Sequence, residues 1–136
     1  MINITEKSIH IPDTQISEID KQYQKIKSIF EQLTQCIQDK DFEGKLSTVF
    51  FNLVYIHDHY FMQEQITLSK YNYKDLEEIK QSHHSFLEDV VKYQRKTEED
   101  AEMSCREMVN FISNWSGKYF ELNKKAIAFL KEKGTK

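Results

Sequence analysis

His57, His59, His83 and His84 are imidazoles that could ligate a metal or share a proton, and His83 falls on the inner stripe of a predicted helix. Imidazoles bind metals or share protons, whereas phenols and amides either complete a coordination shell or hydrogen-bond one another. Ile79, on the same predicted face as His83, offers no donor. The chain has no Ser/His/Asp or Cys/His arrangement and no carboxylate pair on the inner faces, so catalysis is not expected. Cys36 and Cys105 are far apart, without a CxxC, and are expected to be two buried thiols. His57 lies two residues from His59 and His84 one past His83, which points both toward the surface. Glu64 follows Gln63 and projects about 100° away from it around a helix, so it cannot simply take over the role of Gln63's position.

The elements that must position these residues read as helices. From Ile16 to Ile37 the apolar positions Ile16, Ile19, Tyr23, Ile26, Phe30, Leu33 and Ile37 alternate steps of three and four. This predicts a first helix near 17–39, with Ser17 or Thr14 as its cap. A second, near 42–69, carries Leu46, Val49, Leu53, Ile56, Tyr60 and Ile66 on its inner face, and a third, near 73–96, carries Leu76, Ile79, His83, Phe86, Leu87 and Val90. Thr97-Glu98-Glu99-Asp100 resembles a capping box with acids in the first turn of a fourth helix, near 98–122. Its stripe is Cys105, Met108, Ile112, Trp115, Tyr119 and Leu122, and a separate short helix with Ala126, Ile127, Phe129 and Leu130 follows. The expectation is an all-α, up-down-up-down antiparallel four-helix bundle. Residues 1–15 form an N-terminal arm whose Ile9 and Ile11 would lie across it.

With 136 residues, one proline and three glycines, the chain suits a single domain over 1–136 and long helices rather than short strands. A net charge of -3 gives no basic footprint for nucleic acid or an anionic membrane. No apolar run reaches the ~18 residues of a membrane span and no leader pattern opens the chain, so the expected compartment is the cytoplasm.

Four segments carry a family resemblance. Ile19-Asp20-Lys21-Gln22-Tyr23 resembles the Ile-Asp-x-Gln-His signature of the hemerythrin family, and Tyr55-Ile56-His57-Asp58-His59-Tyr60-Phe61-Met62-Gln63-Glu64 is similar to its Tyr-x-x-x-His-Phe-x-x-Glu-Glu. Ile79-Lys80-Gln81-Ser82-His83-His84-Ser85-Phe86 resembles His-x-x-x-His-x-x-Phe. Trp115-Ser116-Gly117-Lys118-Tyr119-Phe120-Glu121-Leu122-Asn123 resembles Trp-Leu-x-x-His-Ile-x-x-x-Asp. The resemblance spans nearly the whole chain, one motif per predicted helix.

The resemblance implies a bundle in which five histidines and two bridging carboxylates hold a di-iron centre that binds oxygen. The former ligand positions are Tyr23, His59, Gln63, Ile79, His83, Tyr119 and Asn123, and only His59 and His83 keep their residue. Gln63 and Asn123 preserve the shape of the bridges but not the charge that two cations require in a core. No cofactor or metal is therefore expected, and the seven positions should meet as a neutral polar core within a non-catalytic binding or signalling module. The alternative is a reduced iron or mononuclear site built on His59 and His83 with a tyrosine, serving oxygen sensing, carriage or iron handling. An unidentified protein partner or small ligand, and a homo-oligomer, fit either reading.

Overall fold

A computed structural model describes residues 9–136, so the first eight residues of the expected arm lie outside the described residues. Within the described residues every regular element is helical. Helix α1 is Ser17–Asp39, α2 is Lys45–Tyr55, a π-helical segment is Ile56–Phe61, α3 is Met62–Lys70, α4 is Leu76–Glu99 and α5 is Ala101–Glu132. Because α2, the π segment and α3 follow without a break, they act as one rod, and the described residues form four rods.

The apolar stripe of α1 is buried along its whole length, from Ile16 through Tyr23 and Leu33 to Ile37. Neither expected residue caps it from the N-cap position, which is Ile16 and has no side-chain bond. Instead the Asp20 carboxylate reaches back to accept from the Thr14 N–H and hydroxyl, both at 2.8 Å, and so ties the preceding segment to the first turn. At the other end Lys40 adopts a left-handed conformation (φ 53°), and the Asp41 N–H bonds the Cys36 carbonyl at 3.1 Å, the closing pattern of a Schellman turn. Ile9 and Ile11 are half-buried against the core, as expected of the arm.

Helix starts differ from the sequence reading for local reasons. Gly44 (φ 28°) turns the chain immediately before Lys45, and left-handed Asn72 (φ 59°), with Tyr73 N–H bonded to Leu68 O, delays α4 to Leu76. Thr97 is not a cap; it belongs to α4 and donates to Tyr93 O and Ser104 Oγ. Asp100, extended at φ −152°, breaks the chain, and its carboxylate caps α5 by accepting from Met103 N–H at 3.0 Å. The separate C-terminal helix does not exist: α5 continues through Asn123 to Glu132, since Asn123-Lys124-Lys125 contains nothing that stops a helix and Ala126, Ile127 and Leu130 prolong its buried stripe.

Each rod packs on two others: α1 on α5 and on the α2–α3 rod, and α4 on α5 and on that same rod. Cross-links mark the ends that meet. Cys105 Sγ, early in α5, lies 3.5 Å from Leu33 O, late in α1, and Lys96, late in α4, pairs with Glu107 of α5 at 2.6 Å. One continuous apolar core results, with Phe30, Phe61 and Phe86 among its fully buried rings. No helix of the described residues is long and apolar enough to cross a membrane.

Candidate polar core around Glu64

The register of the second rod decides the composition of the site. Its buried positions are Leu46, Val49, Leu53, Ile56, Phe61, Glu64 and Leu68. The step from Ile56 to Phe61 is five residues, one more than an α-helix tolerates on a single face, and the π segment absorbs the extra residue. Consequently His59 and Gln63, expected inside, are exposed, and Ile66 is 58 % exposed. Glu64, not expected to take the place of Gln63, is 5 % exposed and points into the core.

The Glu64 carboxylate receives donors from two other rods. Tyr119 Oη lies 2.8 Å and 3.0 Å from its two oxygens, and the side-chain amides of Gln22 and Asn123 each donate to Oε2 at 3.3 Å. Asn123 also donates to Tyr23 Oη at 2.9 Å. Gln22 Oε1 sits 2.9 Å from the same Tyr119 hydroxyl. His83 completes the group, with Nε2 at 3.2 Å from Tyr119 Oη and 3.6 Å from Glu64 Oε1. Its Nδ1 lies 2.9 Å from Gln65 Nε2. If Gln65 donates to Nδ1, the Nε2–H is free to donate to Tyr119 Oη, whose own hydroxyl donates a hydrogen bond to Glu64.

Aromatic rings seal this network. Phe61 stacks on His83 with centroids 3.9 Å apart and an interplanar angle of 7°. Trp115 stacks on Tyr119 at 4.7 Å, and Tyr23 meets Tyr119 edge-on at 6.2 Å. Burial, followed by the charge of Glu64, raises the Tyr119 hydroxyl well above the ordinary tyrosine range, and burial does the same to Tyr23. Both are neutral donors, not phenolates. Asn123 Oδ1 is buried without a partner among the described residues, a cost set by the neighbouring amide's commitment to Glu64 and Tyr23.

The structure thus brings together Tyr23, His83, Tyr119 and Asn123, with Ile79 buried one turn before His83 on α4. It leaves out His59, which stacks on Tyr55 at 5.2 Å, and Gln63. It adds Gln22 and Glu64, which sequence reasoning did not select. The signal for Gln22 is its three-residue step from Ile19; that for Glu64 is the run Phe61, Glu64, Leu68, once a five-residue step is allowed. His57 is half-buried beside Asp58, His84 is exposed, and both cysteines are buried.

A cleft of about 220 Å³ approaches the network from outside, with Ile16, Ile19 and Leu130 among its walls, Gln22 and Glu64 at its inner end and His59 and Gln63 at its exposed edge. As a metal site the set is poor. Among the described residues no group of three His, Cys, Asp or Glu side chains could hold an ion. The one carboxylate is already engaged by neutral donors, and the one imidazole is occupied on both nitrogens. These residues do not fit a di-iron pair.

Comparison of the chain with protein-family models, with curated proteins and with solved structures finds no match.

Proposed function

We propose that the protein is a metal-free, degenerate hemerythrin-like bundle that serves as a non-catalytic binding or signalling module in the cytoplasm. The four rods alternate in direction: the short connections favour it, and so do the pairings of early α5 with late α1 and of late α4 with early α5. The family reading is supported by the order of the four motifs and by the meeting of Tyr23, His83, Tyr119 and Asn123. One observation carries the functional reading. A buried carboxylate is held by a hydroxyl and two amides, where an iron pair would demand histidines and anionic bridges. The polar core then serves register and specificity, with Oε2 of the carboxylate reached by three donors and Oε1 by the Tyr119 hydroxyl. The cleft beside it offers a small ligand a route to Glu64 and Gln22.

Iron loading tests this reading. The unaltered chain, expressed with added iron, is expected to carry no stoichiometric iron and no oxo-bridged visible band. A chain rebuilt with Tyr23→His, Ile79→His, Tyr119→His and Asn123→Asp, keeping Glu64, is expected to gain iron. Gln63 needs no change, because the π segment has turned it outward. Equal iron in the two chains would overturn the reading.

A further inference from the structure

The outer face of the second rod is nearly uncharged and apolar. From Leu46 to Ser69 the only Asp, Glu, Lys or Arg residues are Asp58 and the buried Glu64, in a chain that is 30 % charged. The same face exposes four of the six large hydrophobic residues that are exposed among the described residues: Phe51 at 71 %, Tyr55 at 41 %, Met62 at 40 % and Ile66 at 58 %. An uncharged, apolar surface stripe marks an interface rather than a solvated face.

Its spacing identifies the occupant. Phe51 and Tyr55 lie four apart, Met62 and Ile66 lie four apart, and the two pairs are symmetric about a point between Asp58 and His59. When two copies of such a helix pair antiparallel about a two-fold axis at that point, Phe51 meets Ile66 of the second copy and Tyr55 meets Met62. Asp58 meets His59, an acid against a base. A two-fold interface requires this self-complementarity, in which residue i contacts j and j contacts i. Asp58 Oδ1 lies 2.9 Å from His57 Nδ1, while the side chain is 67 % exposed and leaves Oδ2 for the second copy, and His59 is exposed on the ring of Tyr55. Tyr55 and His59, already stacked, present a preformed platform to the thioether of Met62. The stripe spans about 22 Å at 1.5 Å per residue, enough for a continuous helix–helix seam.

We infer that the outer face of the Lys45–Lys70 rod is a homodimer interface, formed with a second copy of this chain antiparallel about Asp58 and His59. The inference is independent of the metal-free reading, since it uses none of the side chains hydrogen-bonded around Glu64; His59 lies only at the outer edge of the cleft beside them. It gives His59 a role as an interface residue.

Sedimentation equilibrium over a concentration series, with circular dichroism to confirm the fold, tests it. The unaltered chain should associate to dimers. Phe51→Glu and Ile66→Glu, both at exposed positions, should each raise the dissociation constant by about tenfold or more, corresponding to at least ~1.4 kcal/mol, with helix content unchanged. Asp58→Lys should weaken the dimer, and adding His59→Glu should restore it by reversing the central pair. For the register, Phe51→Cys combined with Ile66→Cys should give a covalent dimer on mild oxidation, since within one chain the two positions are too far apart to join. A monomer at every concentration, a dimer indifferent to Phe51→Glu and Ile66→Glu, or failure of the charge reversal to rescue would each overturn the inference.

Discussion

Replacing Glu64 by alanine removes the shared acceptor of the Tyr119 hydroxyl and the Gln22 and Asn123 amides, and leaves those groups buried without it. Each unsatisfied buried group costs about 1 to 3 kcal/mol, so Glu64→Ala is expected to destabilise strongly. Gln63→Ala, at an exposed position, should stay within about 0.5 kcal/mol. Denaturant midpoints of the two variants distinguish the observed register from a plain α-helical one, which would reverse their order. Tyr119→Phe should fall between them, at about 1 to 3 kcal/mol. The tyrosines also set a response to alkali. Tyr119 and Tyr23 keep their protons far above the ordinary range, chiefly through burial, and burial pushes the Cys105 thiol up to about 12. An unfolded chain releases tyrosine protons near pH ~10 and thiol protons near ~8.5. The folded pKa values are raised, so their contribution is complete below the unfolded values and is lost as pH rises toward the folded ones. Stability should therefore decline from about pH 9 upward, in the window these groups define. Tyr119→Phe should flatten the decline; an identical slope in the variant would remove Tyr119 as its source.

At the scale of the element, the π segment is the feature that most alters the meaning of the sequence. Ile56 and Phe61 are both fully buried although five residues apart, and the extra residue is accommodated between them. Deleting the exposed Asp58 would reset the spacing to four and allow a continuous α-helix with the same inward residues, Leu53, Ile56, Phe61, Glu64 and Leu68. The deletion variant is expected to retain its helical circular dichroism and unfold cooperatively; a collapse of helix content would make the π segment a requirement of the fold. The same comparison defines what was legible. Steps of three and four located α1, α4 and the first part of α5 and most of their buried residues, because that periodicity is a direct record of burial, although Leu76, Leu87, Trp115 and Leu122 are only half-buried. An inserted residue leaves composition untouched and shifts only phase, so His59 and Gln63 matched a motif by spacing while the fold turned them outward. Asp100, an isolated break with its own side-chain cap, was concealed inside the acidic run that begins at Glu98. The join at Asn123 read as a boundary because it is polar, yet that polarity serves the core: Asn123 is fully buried and bonds Tyr23 and Glu64.

For the whole molecule, hydrogen bonds among Gln22, Tyr23, Glu64, His83, Tyr119 and Asn123 join the rods around Glu64. These residues come from α1, α3, α4 and α5, so the network touches all four rods at one level of the bundle. Any ligand that binds only the folded chain raises its stability by RT ln(1 + [L]/Kd), about 2.7 kcal/mol at a hundredfold excess over Kd. The most direct measurement is a thermal unfolding series of the unaltered protein under anaerobic conditions with increasing ferrous iron, followed by admission of oxygen and a visible spectrum. The metal-free core predicts an unfolding midpoint independent of iron and no oxo-bridged band. A midpoint that climbs with iron and saturates, with that band appearing on oxygenation, would contradict it.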